Sequence, residues 1–144
     1  MSEFSPKSEE VGNVDRMKEL ERELMEIRGE REKELERRRE IAEIFMGEVQ
    51  KELDTVISWK VGGSTAREDF AFSSDLDIDV LLKKDPNEDE SLILYHYLVQ
   101  RFLEEKELFI QPHTFTIDQL KRIKSHNPEI GKWYEEYFDL EEPL

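Results

Sequence analysis

The chain has 144 residues, a formal net charge of −15 and no cysteine. That length gives one domain with a single core, and the missing thiols exclude disulfides, thiolate zinc sites and cysteine nucleophiles. The acidity excludes a broad basic surface for a phosphate backbone and suits cations and basic partners instead, which argues against a large nucleic-acid substrate.

No apolar run is long enough for a membrane helix, and the polar stretch Met1–Glu10 lacks a signal-peptide core. A cytoplasmic protein with no membrane partner is the expectation. Residues 1–12 read as a disordered tail, with few apolar anchors. Residues 13–40 read as an extended N-terminal helix, and residues 41–144 as the folded domain.

From Val14 to about Leu53, apolar residues recur at steps of three and four. Met17, Leu20, Leu24 and Ile27 form one run; Ile41, Ile44, Phe45, Val49 and Leu53 form another. Between them, Arg28 to Glu40 offers only Leu35 as a sizeable apolar residue. That stretch reads as a solvated helix supported by pairs such as Glu34 with Arg38, and Gly29 is a candidate break into two helices. The first run is a spacer, or else a dimerisation or partner-binding surface; the second packs on the core. A homodimer is expected in preference to a monomer.

Val56, Ile57, Trp59 and Val61 predict a strand ending at Gly62-Gly63, and Thr65–Asp69 a short helical turn. Leu76–Leu82 predicts a second strand, with Ile78, Val80 and Leu82 alternating against Asp75, Asp77 and Asp79. Lys83–Asp89 is a loop around Pro86-Asn87. An amphipathic helix follows over Glu90–Lys106, through Leu92, Ile93, Tyr97, Leu98, Phe102 and Leu103. Leu108–Phe115 predicts a third strand, which Pro112 makes an edge strand or bends. Thr116 caps a helix over Ile117–Lys124. A short helix over Pro128–Phe138 carries Trp133, Tyr134, Tyr137 and Phe138. These read as core or cover, with base stacking or an interaction surface as the alternatives.

Chemistry concentrates between Gly62 and Asp79. Glycines at a strand end let backbone N–H groups approach a ligand. A helix opened by Ser64 presents free N–H groups and its dipole to an anion such as phosphate, and the hydroxyl adds a donor. Arg67 is a surface charge or a second phosphate contact. Asp75 and Asp77, two apart on a strand, share a face. They repel unless a cation sits between them, and Mg²⁺ favours oxygen ligands of this kind. A phosphate cradle followed by paired carboxylates is the equipment for moving a nucleotidyl group. Two ions would activate the nucleophile and stabilise the leaving pyrophosphate.

Gly63-Ser64, ten residues, then Asp75-Leu76-Asp77 resembles the signature of the DNA polymerase beta-like nucleotidyltransferase superfamily, and within it the minimal nucleotidyltransferases of archaea and bacteria. Ala66, Arg67 and Ser74 match that family's habit, and the resemblance spans roughly Val56 to Phe115. It implies an α+β fold, a small mixed sheet flanked by helices, over residues 41–144. It implies Gly63, Ser64, Arg67 and Ser74 as nucleotide-binding residues, and Asp75 and Asp77 as catalytic metal ligands. It further implies a nucleoside triphosphate such as ATP as substrate. The partner it implies is a helical protein, in some members a nuclease of the HEPN type that the antitoxin-like enzyme adenylylates. One feature departs from the family. A third carboxylate is expected on the next strand, where Gln111 and His113 stand instead; Asp79 and His113 are the candidates to replace it. The alternative reading is a degenerate, noncatalytic nucleotide- or partner-binding module.

Overall fold

The computed structural model describes residues 6–144, with side chains from residue 13 onward. The tail expected over residues 1–12 therefore falls partly outside the described residues. Helix α1 runs from Pro6 to Glu52 without a break at Gly29. A mid-helix glycine costs about 1 kcal/mol relative to alanine, and the surrounding Glu, Arg, Leu, Met and Lys residues are strong helix formers that absorb that cost. The chain divides into two compact units, residues 1–36 and 37–144. In the first, Val14, Met17, Leu20, Leu24, Met25 and Ile27 are all exposed.

In the second unit, α1 delivers its apolar face to the core: Ile41, Ala42, Phe45, Met46, Val49 and Leu53 are buried, while Ile44 is exposed. Strand β1 (Val56–Val61) leads into a single helical turn, α2 (Gly63–Ala66), and a loop returns the chain to β2 (Leu76–Leu82). A helical run follows: α3 (Glu88–Ser91), a π-helical stretch (Leu92–Leu98) and α4 (Val99–Lys106). It crosses over to β3 (Ile110–Thr116), and α5 (Ile117–His126) and α6 (Pro128–Tyr137) complete the unit.

The sheet is mixed, in the order β1-β2-β3. β1 pairs antiparallel with β2, and β2 pairs parallel with β3. Pro112 lies in β3, which has a neighbour on one side only, as the missing N–H of proline requires. Asn87 and Thr116 each form a capping box, with Glu90 and Gln119 respectively.

Leu76, Ile78, Val80, Leu82 and Ile110 form one face of the sheet and share a core with α1, Leu94, Leu98, Val99, Phe102 and Leu108. Of the expected apolar residues on the third helical run, Leu92, Tyr97 and Leu103 are exposed. The expected Leu98 and Phe102 are buried, and Leu94 joins them where the π turn holds an extra residue. The opposite face is covered only at its far end, where Leu81 joins Leu120 and Phe138 with Phe115, Tyr134 and Tyr137 packed around them. Its near end, carrying Asp75, Asp77 and Asp79, has no such apolar cover.

Candidate active site

Alternation along β2 puts Leu76, Ile78 and Val80 into the core and leaves Asp77 and Asp79 on the other face, with Asp75 just ahead of the strand. The end of β1 is tied to the same strand by the Gly62 N–H, which donates to the Asp77 carbonyl at 2.9 Å. This bond brings the two glycines under the carboxylates. A Cβ at Gly62 would sit 2.6 Å from Asp79 Oδ2, and one at Gly63 would sit 2.2 Å from Asp77 Oδ2. Gly63 also has φ of +57°, in the left-handed region that favours glycine. The Gly-Gly pair is thus dictated by the carboxylates it faces.

No side chain caps α2. The helix is one turn long, shorter than the dipole argument from sequence supposed, so its local N–H groups and the Ser64 hydroxyl remain as the donors it can offer. Of the other expected nucleotide contacts, Arg67 is ion-paired with Asp69 at 3.2 Å on the surface. Ser74 gives its hydroxyl to the Ala71 carbonyl at 2.7 Å, closing the turn before β2.

The parallel register sets Asp77 opposite Gln111 and Asp79 opposite His113, so all four lie on one face. His113 Nε2 is 3.0 Å from Asp77 Oδ1; because a carboxylate only accepts, that nitrogen carries the proton in this pair. Asp79 is engaged from above, accepting the Tyr137 hydroxyl at 2.6 Å. Burial, followed by the Asp79 carboxylate, pushes the Tyr137 phenol well above its ordinary pKa, so it remains a donor. Asp75 is exposed.

Among the described residues, no three Asp, Glu or His side chains converge on one cation position. The donor set is a pair of neighbouring carboxylates. That fits Mg²⁺, which takes one or two carboxylates and completes its shell with water and substrate phosphate oxygens.

The residue that sequence reasoning misplaced is Arg38. Its polar neighbours made it part of a solvated stretch, yet it is fully buried. Its guanidinium donates to the carbonyls of Ser74 (2.6 Å), Phe72 (3.4 Å) and Asp75 (3.4 Å), and to Thr65 Oγ1 (3.1 Å). It also lies over the Phe70 ring, 4.6 Å from its centroid. Arg38 therefore pins the loop that links the Gly63-Ser64 turn to Asp75. Five donors on a planar fork suit this task as no other side chain does. The only signal in the sequence is position: Arg38 stands three residues before Ile41, on the buried face of α1.

No family model matches the chain, and no curated protein does. Among solved structures, the chain is similar to one described as a "putative nucleotidyltransferase" from Sulfolobus solfataricus. The identity is 22%, the TM-score 0.47, and the match covers 64% of this chain and 78% of the other. At that level the likeness carries no weight in assigning a function, which rests on the site's own geometry. Among the described residues, no helix is long and apolar enough to cross a membrane.

Proposed function

We propose that the protein is a metal-dependent nucleotidyltransferase that takes a nucleoside triphosphate such as ATP and passes the nucleoside monophosphate to an acceptor hydroxyl. The observation that carries this reading is the packing of the Gly63 turn directly beneath the Asp77 carboxylate, with the exposed Asp75 two residues before it in the chain. In this reading Ser64 and the backbone N–H groups of the turn bind phosphate oxygens. Asp75 and Asp77 hold Mg²⁺, two ions when the triphosphate is bound. The metal supplies charge neutralisation on the phosphates and a more acidic acceptor hydroxyl.

The chain's own residues orient the site. Arg38 fixes the loop before Asp75. His113 holds one oxygen of Asp77 and stands near the place where the resemblance calls for a third acid, and Tyr137 holds Asp79. The acceptor in this reading is a hydroxyl on a helical partner protein, of the HEPN type in an antitoxin-like pair, within the cytoplasm. The strong acidity supports a protein acceptor over a long nucleic acid. The exposed apolar residues of α1 are the surface on which that partner docks in this reading, with a second copy of the chain as the other occupant.

Calorimetric titration of ATP, GTP, CTP and UTP with and without Mg²⁺ tests the site, with the Asp75→Asn, Asp77→Asn double variant as control. Metal-dependent binding that the double variant loses is the expected result; binding that ignores both metal and variant would sink the assignment. The presence of Gln111 and His113 in place of an acid favours one second reading, a nucleotide-binding module without catalysis. Pyrophosphate release in the presence of an acceptor separates the two.

A further inference from the structure

Trp133 is 54% exposed, yet its ring is held in place. It lies nearly parallel to the Tyr137 ring, with 13° between the planes and 4.8 Å between centroids, and meets Tyr134 edge-on at 5.0 Å. Both distances fall in the range where aromatic pairs are attractive. Tyr137 is in turn fixed at two points. Its hydroxyl is bonded to Asp79, and its ring packs at 64° against Phe138, which is 1% exposed. The indole therefore cannot turn without breaking a stack that is anchored in the second core.

A rigid exposed aromatic face is a ready platform, because little freedom is lost when a flat ligand stacks on it. This one belongs to a rigid stack that is continuous with the carboxylate row, because the residue behind it is bonded to Asp79, two residues along β2 from Asp77. A flat ligand with a polyanionic tail matches both parts at once. We infer that Trp133, backed by Tyr137, is the platform on which the base of the nucleoside triphosphate stacks; this rests on the nucleotidyl-transfer reading above. Stacking scales with the area of the ring and reads no hydrogen-bonding edge. Purine triphosphates therefore bind more tightly than pyrimidine ones, with little discrimination between adenine and guanine.

The test compares two probes, ATP and inorganic tripolyphosphate, each with Mg²⁺, on the wild-type chain and the Trp133→Ala and Trp133→Phe variants. Tripolyphosphate has the charge and the phosphate oxygens but no base. Trp133→Ala is expected to weaken ATP roughly tenfold or more, to leave tripolyphosphate unchanged, and to have most of its loss recovered in Trp133→Phe. ATP binding also changes the fluorescence of Trp133, whereas Trp59 packs against the other core and serves as the internal reference. The inference is overturned alone if Trp133→Ala binds ATP like the wild type, if it loses both probes equally, or if wild-type protein binds tripolyphosphate as tightly as ATP. A wild-type chain that binds neither probe overturns the nucleotide reading and the platform with it.

Discussion

Gly62 and Gly63 look equivalent in the sequence but answer to different constraints. Gly62 has φ of −113°, open to any residue, and an added methyl would press on the Asp79 carboxylate, 2.6 Å from Oδ2 and 3.2 Å from Cγ. Gly63 combines φ of +57° with a methyl position only 2.2 Å from Asp77 Oδ2. Gly63→Ala is expected to lose about 1–2 kcal/mol in urea unfolding through its backbone alone and to abolish metal-dependent triphosphate binding by displacing Asp77. Gly62→Ala should cost less in stability. The reverse order would refute the conformational account. Tyr137 gives a second prediction. Its folded pKa is raised, so the native state keeps the proton after the unfolded chain has lost it. The stabilisation is complete below the unfolded value of about 10 and is lost as pH rises above it. The alkaline limb of the stability curve should be shallower in Tyr137→Phe, as thermal melts across that range will report. The Gly-Ser and Asp-x-Asp spacing was legible because strand alternation and turn chemistry are local. The bond from Tyr137 to Asp79 spans 58 residues and needs α6 to fold over the sheet, which no local pattern encodes.

At the level of elements, the loop between α2 and β2 is held by one buried ring, Phe70, and one buried cation, Arg38, which lies over it. Replacing Arg38 with Met leaves several carbonyls without their donor, at a cost of about 3 kcal/mol when the donor is charged. Arg39, next in sequence, is exposed and pairs with Glu68 at 3.4 Å, so Arg39→Met is expected to change stability by less than about 1 kcal/mol. Arg38→Lys should behave like Arg38→Met, since an ammonium cannot span the same set of acceptors. Urea midpoints of the three variants check this, and equal effects at positions 38 and 39 would show that the buried fork is not what holds the loop. Strand positions, the Thr116 cap and the edge placement of β3 were readable from residue type, whereas Asn87, read as part of a loop, caps α3. Arg38 was not, because periodicity classes every arginine as solvated. The π-helical stretch was not either, because its extra residue per turn shifts the apolar face away from the 3.6-residue spacing the sequence suggests.

Across the molecule, burial divides α1 sharply. Every apolar residue from Val14 to Ile27 is exposed, and burial begins at Arg38 and continues through Ile41, Ala42 and Phe45. The second unit, residues 37–144, contains both cores, all three strands and every residue assigned to the site. Residues 13–30 therefore add helix but no buried apolar area within the chain, and helix without burial contributes little to stability. Removing residues 1–30 is expected to leave the melting temperature within a few degrees of the full chain and Mg²⁺-dependent triphosphate binding unchanged, as circular dichroism melts and calorimetry can measure. One further turn of helix is retained ahead of Arg37 so that the new end does not fray into Arg38. If the shortened chain unfolds well below the full one, the exposed stripe of Met17, Leu20, Leu24 and Ile27 must be buried in solution, and a melting temperature that rises with concentration in the full chain alone would identify a second copy as what covers it.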